Sequence, residues 1–65
     1  MHIHVNGKER ETKACFLAGI LVEFGFEGDW LATAVNNEVV AANERADYRI
    51  YESDWIEIVS PMQGG

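Results

Sequence analysis

Residues 12–25 read Thr12-Lys13-Ala14-Cys15-Phe16-Leu17-Ala18-Gly19-Ile20-Leu21-Val22-Glu23-Phe24-Gly25, and their spacing decides the fold. Leu17, Ile20, Leu21 and Phe24 recur at i, i+3, i+4 and i+7, which is one apolar stripe along a helix of about three turns. Thr12 is read as its N-cap, a residue type whose hydroxyl satisfies a free N–H of the first turn. Gly25 stands just past Phe24, where a left-handed residue closes a helix. Gly19 costs about 1 kcal/mol against alanine inside a helix, and close packing of the helix on a sheet is the expected reason. A helix with a single stripe has to bury it against another layer, so the flanking residues decide which layer that is.

Before the helix, Ile3 and Val5 alternate with His2 and His4, the period of a half-buried strand. Asn6-Gly7 is a strong hairpin-turn signal, because both central positions of a type I′ turn need positive φ. Lys8 to Thr12 is polar throughout and reads as a partner strand near a sheet edge. After the helix, Phe26 to Asp29 reads as a loop. Leu31, Thr33 and Val35 then alternate with Ala32 and Ala34, Asn36-Asn37 forms a turn, and Glu38 to Val40 returns. Residues 41–47 read as irregular, Arg49 to Tyr51 as a short strand centred on Ile50, and Glu52-Ser53-Asp54 as a turn. Trp55 to Val59 is the last strand, with Ile56 and Ile58 on one face and Trp55, Glu57 and Val59 on the other. The predicted class is α+β, a mixed sheet with one main helix packed on one face.

Sixty-five residues make one small domain, which buries only about 60% of its unfolded surface. Hydrophobic residues make up 48% of the chain, enough for one compact core and too many for a disordered segment. So short a chain has few residues to spare for a walled catalytic pocket, and it is not read as an enzyme. Eleven acidic against five basic residues give a net charge of −6. That balance argues against nucleic acid and anionic membranes as partners, and fits steering towards a basic protein surface. Cys15 is the single cysteine, so neither an internal disulfide nor a four-cysteine metal site is available. No secretory signal is read and no apolar run approaches the ~20 residues of a membrane span, so a cytoplasmic protein is expected.

The pattern stops after Val59, and Ser60-Pro61-Met62-Gln63-Gly64-Gly65 follows. Pro61 cannot donate to a ladder, and glycines without Cβ let a backbone thread a narrow passage. The expected organisation is a domain over 1–59 and a flexible C-terminal tail over 60–65, ending in a free carboxylate on Gly65.

Ile3-His4-Val5-Asn6-Gly7, Phe24-Gly25, Val35-Asn36-Asn37-Glu38-Val39-Val40, Trp55-Ile56-Glu57-Ile58-Val59 and Gly64-Gly65 are together similar to the ubiquitin-like sulfur carriers, thiamine-biosynthesis (thiazole) type. The resemblance covers the whole chain. It departs at Arg45, where the family often has tryptophan, and at Asn37 and Ser53, which replace turn glycines. The resemblance implies a β-grasp fold, whose first and last strands lie side by side and parallel; the strand pattern allows this pairing without deciding it. It implies that an adenylating, E1-like enzyme uses MgATP to activate the Gly65 carboxylate. A sulfur-donor protein such as a cysteine desulfurase then converts it to a thiocarboxylate, and a thiazole synthase receives the sulfur. On that reading Gly64, Gln63 and Met62 thread the partner's active site, no cofactor is bound by the carrier itself, and Trp55, Glu57 and Val59 form a docking surface. Sulfur delivery to molybdopterin or amino-acid precursors, conjugation to lysines as a protein modifier, and a non-covalent module with an incidental tail remain open alternatives.

Other residues carry weaker chemistry. His2 and His4 share a strand face without a third ligand, so no metal site is assigned and solvent-facing histidines are expected. Cys15 is expected to be a small buried or half-buried helix residue and not a reactive thiol. Glu9, Glu11, Asp47 and Glu52 are too scattered in sequence for paired acid–base carboxylates.

Overall fold

The computed structural model describes residues 1–26 and 30–60. In chain order they form β1 (His2–Val5), β2 (Lys8–Glu11), α1 (Leu17–Glu23), β3 (Ala32–Val35), β4 (Glu38–Val40), a 3₁₀ helix (Ala42–Asp47) and β5 (Trp55–Val59). The strands make one sheet in the order β2-β1-β5-β3-β4. β1 and β5 are parallel, with His4 opposite Trp55 and Val5 opposite Ile56, while every other neighbouring pair is antiparallel. Hence the first and last strands meet at the centre of the sheet, and β2 lies at an edge as its polar sequence predicts.

Both tight turns follow from their residues. Asn6 and Gly7 take φ 51° and 83°, and Asn36 and Asn37 take φ 50° and 71°. Asparagine tolerates the left-handed region better than most side-chain-bearing residues, so the absence of glycine at position 37 leaves the turn intact. The Asn6 side chain also locks β1 to β5. Its Nδ2 donates to the Ile58 carbonyl at 3.1 Å, and its Oδ1 accepts from the Ile58 N–H at 2.8 Å.

The core forms where the stripe meets the alternating faces. Ile3, Val5, Leu17, Ile20, Leu21, Val35, Ile50, Ile56 and Ile58 are buried, joined by Leu31 and Val40, with Phe24 half-buried against them. Helix α1 is shorter than its stripe suggests, seven residues with Phe16 at its N-cap. Thr12 is not that cap. It is buried, accepts from the Ala14 N–H at 3.0 Å and donates its hydroxyl to the Glu23 carboxylate. Tertiary bonds hold Cys15 and Phe16 extended up to the first residue of α1: Ile50 N–H donates to the Cys15 carbonyl and Leu17 N–H to the Tyr48 carbonyl, both at 2.9 Å. This crossing turns Arg49 and Phe16 into an isolated antiparallel bridge in place of the predicted strand over Arg49–Tyr51. The C-terminal end of α1 closes as its sequence indicates. Gly25 has φ 81°, its N–H donates to the Val22 carbonyl, and Phe26 N–H donates to that of Leu21, which is a Schellman closure.

Gly19 also receives a different explanation. A Cβ there would lie 3.2 Å from Ala14 Cβ, so the close neighbour is the extended segment before the helix and not the sheet. Residues 41–47, read as irregular, contain the 3₁₀ helix. Its start is fixed by Glu44, whose N–H donates to the Ala41 carbonyl and whose Oε1 accepts from the Ala41 N–H at 3.3 Å. Among the described residues no helix is long and apolar enough to cross a membrane.

Candidate functional site

Each strand of the sheet has a second face that no element of the described chain covers. Strand alternation sends Ile56 and Ile58 towards α1 and leaves Trp55, Glu57 and Val59 exposed on this open face. Trp55 is 52% and Val59 60% exposed. Pairing then assembles neighbours around them. His4 of β1 lies opposite Trp55, Ala34 of β3 opposite Glu57, and Ala32 opposite Val59. Val39 of β4 lies opposite Ala34 and is 84% exposed. The result is an apolar strip, Ala32, Ala34, Val39 and Val59, with the Glu57 carboxylate set into it.

Trp55 is held in place from two sides. Its indole stacks on the His4 imidazole with centroids 4.1 Å apart and planes 5° from parallel. Its backbone N–H donates to Asn36 Oδ1 at 3.0 Å, while Asn36 Nδ2 donates to Asp54 Oδ1 at 3.1 Å. A cavity of about 390 Å³ lies beside it, lined by Asn36, Asn37, Trp55 and Glu57. A rigid aromatic next to a recess and an apolar strip is a suitable anchor for another protein. The sequence indicated Trp55, Glu57 and Val59 but missed Val39, Ala32, Ala34 and the two asparagines. For Val39, Ala32 and Ala34 the signal was available in the alternation opposite the core positions Thr33, Val35 and Val40.

The remaining sequence candidates separate. His4 is engaged in the stack. His2 lies between two carboxylates, with Nε2 at 2.7 Å from Glu11 Oε1 and Nδ1 at 3.9 Å from Glu52 Oε2, so the fold does bring Glu11 and Glu52 near one another. The N-terminal ammonium donates to Glu11 Oε2 at 3.1 Å. That bond, aided by the positive charge of the ammonium and by His2, holds the Glu11 carboxyl below its ordinary value of 4.5 although partial desolvation opposes the shift. Among the described residues no group of three or more His, Cys, Asp and Glu side chains could hold a metal ion. Cys15, expected to be buried or half-buried, is exposed. The cause is the late start of α1: in the extended segment Thr12 and Ala14 turn inward, and Lys13 and Cys15 turn out. Met62, Gln63, Gly64 and Gly65 lie outside the described residues.

A mixed five-stranded sheet with parallel central strands, crossed on one face by a single helix, is the ubiquitin-like β-grasp class. The comparisons agree at the level of fold. A crystal structure of the thiamine biosynthesis protein ThiS from Geobacter metallireducens superposes with a TM-score of 0.84 at 20% identity, covering 100% of both chains. A solution NMR structure of a thiamine biosynthesis protein from the same organism gives 0.81 at 20% identity, covering 100% of this chain and 88% of that one. In sequence, the chain is 32% identical to the sulfur carrier protein ThiS of Thermus thermophilus over 63 residues, 97% of this chain and 98% of that protein. The ThiS family model matches residues 3–65. The chain belongs to the ThiS family.

Proposed function

We propose that this protein is a sulfur carrier of thiamine biosynthesis that works through the carboxylate of Gly65 and is not itself an enzyme. The observation that carries this reading is the family match, which runs to residue 65 and so includes Gly64-Gly65; the similarity to the sulfur carrier protein ThiS of Thermus thermophilus supports it. In this reading residues 1–59 are the docking domain and 60–65 the tail.

An ionised carboxylate is a poor acylating agent, and its pKa near 3.5 keeps it ionised at neutral pH. An adenylating partner therefore supplies MgATP. A Gly65 oxygen attacks the α-phosphate and pyrophosphate leaves. A persulfide on a sulfur-donor protein displaces AMP, and cleavage of the S–S bond by a thiol releases the thiocarboxylate, with a disulfide formed on the donor side. The thiocarboxylate then gives its sulfur to the synthase that builds the thiazole ring. The carrier contributes the acyl end and the open sheet face, on which Trp55, Glu57 and Val59 meet the partner. Because β5 leads directly into the tail, a partner gripping that face also fixes where residues 62–65 enter its active site.

The test is incubation of a Cys15→Ser chain with its adenylating enzyme, MgATP and a sulfur donor, followed by intact mass and labelling with a thiol-reactive probe. Exchange of one oxygen for sulfur and a labelled C-terminus are expected. One residue added after Gly65 should abolish both, since it carries the carboxylate past the bound ATP. Equal modification of the extended chain, or none of the original by an enzyme shown to be active, would overturn the reading.

A further inference from the structure

Strand β2 sorts its charges by face. Lys8 and Arg10 pair with Val5 and Ile3, whose side chains are in the core, so the two cations lie on the helix side of the sheet. Glu9 pairs with His4 and Glu11 with His2, which puts both acids on the open side. The cations border a cavity of about 300 Å³ lined by Val5, Asn6, Lys8, Arg10, Phe24 and Phe26. The Arg10 guanidinium carbon stands 5.6 Å from the centre of the Phe24 ring. A guanidinium stacked on a ring face keeps its in-plane N–H donors free for a carboxylate.

Apart from the contact of Arg10 with Phe24, no interaction among the described residues engages these cations. Among the described residues neither Lys8 nor Arg10 forms an ion pair. The nearby end of α1 does not need them either, because the Ile20, Leu21 and Val22 carbonyls accept from Phe24, Phe26 and Gly25. Two cations beside two half-buried phenylalanines locally reverse the charge of a protein whose net charge is −6. The pocket also lies where the domain ends. Asn6, one of its walls, is bonded to Ile58, one residue before the chain leaves β5 at Val59. Among the described residues no strand lies beyond β2, so an incoming segment has an open edge alongside it.

We propose that this pocket receives an acidic segment of the adenylating partner, with a carboxylate on Arg10 and Lys8 and an apolar side chain against Phe24 and Phe26. It is a second contact, on the opposite side of the sheet from Trp55. The assignment rests on the carrier reading for the partner's identity, and it makes binding two-sided: the open face offers apolar surface and acid, the β2 edge offers base.

The experiment measures affinity of the full chain for its purified adenylating enzyme, comparing wild type, Lys8→Glu, Arg10→Glu and Lys13→Glu. The last makes the same charge change on an exposed residue outside the pocket. Either pocket reversal should weaken binding about tenfold or more, against less than about twofold for Lys13→Glu, and should flatten the salt dependence. Amide spectra of each variant establish that the fold is kept, and in the wild type the signals of Phe24 and Phe26 should shift when the enzyme is added. Equal affinities for Arg10→Glu and wild type, equal losses for all three variants, or no wild-type binding would overturn the proposal. Intact wild-type binding without thiocarboxylate formation would overturn the carrier reading alone.

Discussion

On the covered face of the sheet, Ile3, Val5, Val35, Ile56 and Ile58 meet α1 and are almost wholly removed from solvent. On the open face, the alternate residues of the same strands, His4, Ala34, Trp55, Glu57 and Val59, have no covering element among the described residues. Strand β5 supplies both sets in five consecutive residues. One face is thus free to be chosen for packing and the other for recognition, and a substitution should be felt in stability or in binding according to the parity of its position.

The largest effect expected on this contrast is Ile58→Ala. Removing a buried branched side chain from the centre of so small a core should cost about 2–5 kcal/mol, a large share of the 5–15 kcal/mol typical of a folded domain. A denaturant midpoint that scarcely moves would break the comparison from the covered side.

Trp55→Ala tests the other face, three positions away. Losing the stack on His4 should cost stability only about 0.5–1.5 kcal/mol, whereas affinity for the adenylating partner should fall by about tenfold, or ~1.4 kcal/mol of binding energy. Unchanged affinity would leave Trp55 a lone exposed aromatic and remove the open face from recognition. A stability loss as large as that of Ile58→Ala would erase the distinction between the faces.

The two faces were legible to different degrees. Period-2 alternation in β1, β3 and β5 and the stripe of α1 are local signals, so Ile3, Val5, Leu17, Ile20, Leu21, Val35, Ile56 and Ile58 could be assigned to the core from sequence. Apart from the core position of Ile50 and the turn at Glu52-Ser53-Asp54, residues 12–16 and 41–51 could not be read in the same way, because their conformation is set by partners distant in sequence. The bonds from Ile50 to Cys15 and from Leu17 to Tyr48 have no periodic signature. Arg45 shows this most clearly. A charged residue in a polar stretch reads as solvated, yet it is 7% exposed, donating to Thr33 Oγ1 at 3.1 Å and to the Leu31 carbonyl. Thr33 passes the bond on to the Val40 carbonyl at 2.9 Å, so one guanidinium ties the 3₁₀ helix to β3 and, through it, to β4. The role proposed for Gly64-Gly65 has the opposite character, since it rests on sequence and those residues lie outside the described ones.

The smallest effect expected lies at the margin of the open face, where Glu11 meets the N-terminal ammonium. Its carboxyl is held below 4.5 first by the hydrogen bond from that ammonium and then by the positive charges of the ammonium and His2. A carboxyl depressed in the folded state contributes stability that is complete above its unfolded value and lost as pH falls through the folded one. The window is therefore acidic, from about pH 4.5 downward. Acetylating the Met1 amine removes its charge and leaves one neutral amide N–H in place of the ammonium donors. The Glu11 titration, followed by carboxyl NMR, should move back up towards 4.5, and the acetylated chain should be slightly less stable than the free one at neutral pH. The part of that difference that comes from Glu11 should vanish once pH is low enough to protonate it in both, leaving only the change in the bond to the Thr12 carbonyl, 2.8 Å in the free chain. The pair is exposed, 20% and 65% on its two sides, and salt should weaken it, so raising ionic strength should shrink the difference at neutral pH as well. A Glu11 midpoint unmoved by acetylation would show that the ammonium does not hold it. His2 would then be the only cation left to account for the shift, and His2→Gln would be the variant that moves it.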